Sequence, residues 1–355
     1  MSDPAPPPPS EILVSVEGGV GRLRLNRPKA INALTHGMCV EMSAALADWQ
    51  AEDTVRLVMI DHAEGRGFCA GGDIRAIWES GREDGVAARH FFFDEYRLNH
   101  ALFTYAKSIV AFMDGITMGG GVGISQPARF RIATERTTFA MPETGIGLFP
   151  DVGGGWYLSR LPGRMGEFLA LTGTRLDAAE CVALGLATHY VLSDELDALK
   201  AQIVAHPEEA QASITKASRI PPTAGIEAHR ADIDRLFASD RYEEILAALE
   251  ADKSEWAAKQ RAILATKSPQ ACKVSLRLIT QGRDHSDFAS EMVVEYRVAS
   301  HVVQRSDFIE GVRALIVDKD NQPRWDPARP EGVTDHMVDR IFAPLDPEPE
   351  WTPAR

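Results

Sequence analysis

Apolar and polar positions alternate with a period of two over residues 12–26. Ile12, Val14 and Val16 fall on one side, Gly18-Gly19 supply a turn, and Leu23 and Leu25 alternate on the way back, which predicts a β-hairpin. After the Asn26-Arg27-Pro28 break the period changes. Met38, Met42, Ala45, Leu46 and Trp49 recur at helical spacing, with a helix start at Thr35. Residues 57–60 and 109–113 are apolar runs of strand length, and 86–106 has a helical pattern. This alternation of short strands and helices continues to about residue 192 and predicts an α/β architecture. From about 195 the strand signal disappears. Ser268-Pro269 reads as an N-cap followed by proline at the first helical position, and Gly282 closes that helix. Ser306 is expected to cap a further helix carrying Phe308, Ile309, Val312, Leu315 and Ile316. The expected organisation is a disordered lead-in over 1–10, an α/β core over 11–195, a helical region over 196–343 and a loose, Pro-rich tail over 344–355.

Composition narrows the function classes. The chain has 355 residues, 45% of them hydrophobic and 25% charged, with a formal net charge of −13. That charge argues against a general nucleic-acid or anionic-membrane surface. No apolar stretch approaches the length of a membrane span. MSDPAPPPPS lacks the basic and apolar regions of a signal peptide. Cys39, Cys69, Cys181 and Cys272 are far apart, so neither a disulfide framework nor a zinc site is expected. Reduced thiols in a cytoplasmic protein are the expectation, and the scattered histidines suggest no metal.

Three glycine-rich segments carry the candidate chemistry: residues 67–74 (GFCAGGDI), 114–123 (DGITMGGGVG) and 141–155 (MPETGIGLFPDVGGG). None completes a dinucleotide fingerprint or a Walker A loop, and Ser125 lacks the last glycine of a nucleophile elbow. Glycines after a strand let other groups approach the backbone and leave N–H groups exposed at a helix start. Two such N–H groups from separate loops can hold a carbonyl oxygen that becomes negative during reaction. Turn-making and tight packing use the same residues. Glu143 and Asp151 are carboxylates among apolar residues and glycines, where burial raises a pKa towards the range of proton transfer. Asp151 also stands where an N-cap for the next helix belongs.

These segments, in this order, resemble the crotonase (enoyl-CoA hydratase/isomerase) superfamily, and 25–34 (LNRPKAINAL) resembles its N-terminal signature. The resemblance implies a spiral of ββα units with a helical C-terminal region, and an acyl-CoA thioester as substrate. It implies an oxyanion hole made by the N–H groups of Ala70 and Gly120. Hydratases of the family carry one catalytic glutamate three positions beyond that glycine; here the position is Gly123, while the second matches Glu143. The chain is more similar to the family's 3-hydroxyisobutyryl-CoA hydrolase branch, which shares MPETGIGLFPDVGGG, MDGITMGGGVGIS, 92–96 (FFDEY) and 308–320 (FIEGVRALIVDKD). That similarity implies hydrolysis of a short branched 3-hydroxyacyl-CoA, with Glu143 and Asp151 catalytic and Glu95 and Gly119 contacting substrate. Lys29, Asp73, Ile74 and Arg75 are the candidate CoA contacts, Asp73 being equally suited to cap a helix. The family pattern implies no cofactor beyond the CoA moiety of the substrate, and oligomers occur within it. A hydratase or isomerase using Glu143 alone, and an acyl-CoA-binding scaffold without turnover, are the alternatives.

Overall fold

The computed structural model describes residues 10–354, so the expected lead-in lies, apart from Ser10, outside the described residues. Strands β1 (Ile12–Glu17) and β2 (Val20–Leu25) pair antiparallel across Gly18-Gly19, both at positive φ as a tight hairpin turn requires. The alternation in β1 is only partly used. Ile12 is buried, whereas Val14 and Val16 are exposed, because β1 is the edge of the sheet. Thr35 caps α1 (His36–Ala51), its hydroxyl accepting from the Met38 N–H at 3.2 Å, and all five apolar positions expected on its inner face are buried.

Beyond the hairpin the chain winds as a spiral. Consecutive strands β3 (Leu57–His62) and β4 (Gly67–Cys69), β5 (Ser108–Met113) and β6 (Ile116–Met118), and β7 (Phe130–Ala133) and β8 (Thr138–Ala140) each place one strand in a larger sheet and one in a smaller. The larger sheet has the order β1-β2-β3-β5-β7-β9, ending in β9 (His189–Tyr190), and the smaller is β4-β6-β8. Every pairing between these strands after the hairpin is parallel. Helices α2 (Ile74–Gly81) and α3 (Val86–Phe103) follow the first pair, and α4 (Gly120–Ser125) the second. A 3-10 turn (Glu143–Ile146) and α5 (Gly154–Ser159) follow the third. The alternation of strands and helices predicted the α/β class, and the spiral of ββα units is what the family resemblance implied. Strand β3 is apolar at successive positions because both faces are covered: Val58 and Ile60 face the main core, Leu57 and Met59 a second core packed by Leu196, Leu199 and Ile203.

After β9 the described chain is helical. Ser268 caps Pro269–Gly282 as expected, accepting from the Ala271 N–H at 2.9 Å. Ser306 does not cap its helix. It is the first helical residue, and its hydroxyl donates to the Asp326 carbonyl. The expected loose tail is also corrected. Trp351 is 1% exposed and its indole N–H donates to the Phe93 carbonyl at 3.1 Å, while the Arg97 guanidinium donates to the Thr352 carbonyl at 2.9 Å. Prolines suggested looseness, but the large apolar indole finds a place against α3. All four cysteines are buried and unpaired.

Candidate active site

A cavity of about 340 Å³ opens where the first turns of α4 and the 3-10 turn meet the inner face of α3. Its walls bring together residues far apart in sequence: Gly72, Glu95, Gly119 and Gly120, Glu143 and Asp151. Leu315 and Ile316, from the C-terminal region, close one side. They sit on a wide helical turn (Arg313–Val317) that ends the helix Ser306–Val312, a feature often found beside functional sites.

Three carboxyl groups face this cavity and all are buried. Glu143 is 6% exposed, its Oε2 has no hydrogen-bond partner, and a Cβ on Gly119 would lie 3.3 Å from its Oε1. Burial pushes its pKa well above the usual carboxylate range, Asp151 adds to this, and the Lys267 ammonium partly offsets it. Glu95, on α3, is 2% exposed; burial first and Asp151 second raise its pKa. Asp151 accepts a hydrogen bond from the buried Tyr96 hydroxyl at 2.8 Å, and burial pushes its carboxyl up to about 6 against that bond's opposing pull. It does not cap the next helix. Gly153 holds the cap position of α5, and the N–H groups of Gly153 and Gly155 are taken by Glu295 at 2.7 and 3.1 Å.

The oxyanion donors need one correction. Gly120 begins α4 directly after β6, as expected, and its N–H donates to nothing among the described residues. The Ala70 N–H, by contrast, is taken by the Ile31 carbonyl at 2.9 Å, because the turn after Pro28 folds over the end of β4. Ala70 lines the cavity but cannot donate into it. Two residues on, the Gly72 N–H has no acceptor among the described residues, and Gly72 also lines the cavity. The signal was present in the Gly71-Gly72 pair, but a spacing does not reveal which N–H a distant turn will claim. Tyr96, next to Glu95 in FFDEY, also belongs to the site, and no local pattern marks its hydroxyl as the partner of Asp151.

The expected CoA contacts are dispersed. Ile74 lines the cavity. Lys29 and Arg75 are exposed and do not line it. The Asp73 carboxylate caps α2 through the Ala76 N–H and pairs with Arg27 at 2.8 Å, which supports its capping alternative.

Buried acids beside free backbone donors suit a reaction in which an acyl carbonyl gains negative charge. Residues 20–342 match the enoyl-CoA hydratase/isomerase family. The chain belongs to that family. A zebrafish (Danio rerio) relative named 3-hydroxyisobutyryl-CoA hydrolase, mitochondrial, is 42% identical over 349 residues, covering 95% of this chain and 90% of that protein. An Arabidopsis thaliana relative named 3-hydroxyisobutyryl-CoA hydrolase 1 is 40% identical, covering 96% and 93%. Among solved structures, one titled a carnitinyl-CoA dehydratase from Mycobacterium thermoresistibile superposes with a TM-score of 0.92 at 42% identity, covering 96% of this chain and 98% of that one. Another, titled an enoyl-CoA hydratase from Rhodobacter sphaeroides, has a TM-score of 0.90 at 37% identity, covering 97% and 100%. Animal relatives in the family are named mitochondrial, so the cytoplasmic expectation finds no support in them. Among the described residues no helix is long and apolar enough to cross a membrane.

Proposed function

We propose that this family member hydrolyses a short branched 3-hydroxyacyl-CoA of the 3-hydroxyisobutyryl-CoA type to the free hydroxy acid and CoA. The observation that carries the proposal is the pairing of Glu143 and Asp151 with the unclaimed N–H groups of Gly72 and Gly120 in one cavity, with no acid at position 123. Relatives of about 40% identity over nearly the whole chain, named for that activity, support it.

The thioester oxygen accepts from the Gly72 and Gly120 N–H groups. Glu143 lies beside that oxygen site, next to Gly119. Its carboxylate either takes a proton from water as the water adds, or adds to the carbonyl carbon itself to give a mixed anhydride that water then opens. In both cases the carbon–sulfur bond breaks and CoA leaves as thiolate, a good leaving group because thiols ionise near pH 8.5. Asp151, with its carboxyl at about 6, is protonated part of the time near neutrality and supplies the thiolate's proton or binds the 3-hydroxyl. Glu95 reaches the acyl pocket from α3 and contacts the hydroxylated acyl chain. No group beyond the CoA moiety enters the scheme.

A second reading, hydration or dehydration of an enoyl-CoA, is favoured by the names of the two solved neighbours. Position 123 speaks against it. A Cβ there would lie 2.7 Å from both Asn99 Nδ2 and Val152 Cβ, so the volume a second glutamate needs is filled. For the hydrolase, Glu143→Gln should lower kcat for thiol release at least about a hundredfold in a folded protein. Near-normal turnover in that variant would remove Glu143 from the mechanism.

A further inference from the structure

Beside the cavity, polar atoms on one face of α3 lack partners. Glu95 Oε1 and both ends of the Asn99 amide are buried with no hydrogen bond among the described residues, and Asn99 is fully buried. The two residues are one turn apart and share a face. That face meets α4 at two glycines also one turn apart. A Cβ on Gly120 would lie 2.7 Å from Glu95 Oε1, and one on Gly123 would lie 2.7 Å from Asn99 Nδ2. Gly123 is therefore more than a missing acid, because its bareness makes room for the Asn99 amide.

A buried donor or acceptor left unpaired has lost its bonds to water with nothing in exchange, which destabilises the fold. Buried polar groups of this kind are ordinarily satisfied by an internal water that bridges to further polar atoms. The polar group one turn away is the Glu95 carboxyl. Glu95 itself has several rotatable bonds and no salt bridge or side-chain hydrogen bond among the described residues to fix it.

We propose that Asn99 is a positioning residue for Glu95: its amide holds one buried water that bridges to the Glu95 carboxyl and keeps that carboxyl directed at the acyl pocket beside Gly120. The proposal rests on the hydrolase reading, in which Glu95 contacts the hydroxylated acyl chain.

The test compares wild type, Asn99→Leu, Glu95→Gln and the double variant. Thiol release is measured from 3-hydroxyisobutyryl-CoA and from isobutyryl-CoA, which lacks the hydroxyl. Asn99→Leu should lower kcat/KM for the hydroxylated substrate about tenfold, the scale of a side-chain coupling, and leave isobutyryl-CoA unchanged. It should do no further damage when Glu95 is already Gln. Its Tm should not rise, because leucine removes an amide that the water satisfies and leaves the Glu95 carboxyl without that partner. Equal loss on both substrates, full additivity with Glu95→Gln, or undiminished activity with a raised Tm would each overturn the proposal. Asn99→Ala provides the same comparison should the leucine variant fail to fold. If wild type releases thiol from neither substrate, the hydrolase reading fails; if it turns over but the losses are not substrate-selective, only the role of Asn99 fails.

Discussion

Replacing Asp151 by Asn should separate catalysis from stability. Its carboxyl is pushed from the ordinary 3.8 to about 6, chiefly by burial. A folded pKa above the unfolded one means that the folded chain holds this proton more tightly. The ionised carboxylate is then a load on the fold that is absent below about pH 4, grows between there and about pH 6, and stays constant above. At about 1.36 kcal/mol for each tenfold change in acidity, the step from 3.8 to about 6 amounts to roughly 3 kcal/mol at full size. Asparagine keeps the shape and still accepts from the Tyr96 hydroxyl, but it never ionises. The variant should therefore be more stable than wild type by up to roughly 3 kcal/mol at about pH 8, with the gain fading to nothing by about pH 4. Its kcat should fall about a hundredfold. Urea denaturation of both proteins at three pH values, beside thiol release at neutrality, measures the two effects. A variant less stable than wild type at about pH 8, or a difference independent of pH, would refute the reasoning.

Two further substitutions test packing that the account depends on. Gly123→Ala puts a methyl group 2.7 Å from Asn99 Nδ2 and from Val152 Cβ, so it should cost about 1–3 kcal/mol in urea denaturation; wild-type stability would mean that position 123 is not filled as described. Trp351→Ala should cost about 3–5 kcal/mol, because the indole is 1% exposed and its N–H is bonded to Phe93; a loss below about 1 kcal/mol would return the C-terminal segment to a loose tail.

Local patterns were the most legible part of the sequence. The Gly18-Gly19 hairpin, the Thr35 and Ser268 caps and the buried stripe of α1 each depend on neighbours a few residues apart, which is where periodicity and capping rules act. The cavity was legible only as far as the family resemblance carried it, since Glu95 comes from the first turn of the spiral and Glu143 and Asp151 from the third. What stayed hidden depends on distant partners. The Ala70 N–H is lost to a carbonyl in the turn after Pro28, Asp151 is held by a tyrosine 55 residues earlier, and Trp351 returns to a helix that ended at Phe103. A sequence pattern records which residue types are present, but not which of two nearby backbone donors a far segment will occupy.

The most direct test of the central claim runs two assays on one purified preparation. Thiol release is followed with (S)-3-hydroxyisobutyryl-CoA, and loss of the enoyl absorbance with crotonyl-CoA. One acid at Glu143, a neutral position 123 and two free backbone donors predict rapid thiol release and slow or no loss of the enoyl signal. Rapid loss of the enoyl signal without thiol release would contradict the account and make this chain a hydratase of the same family.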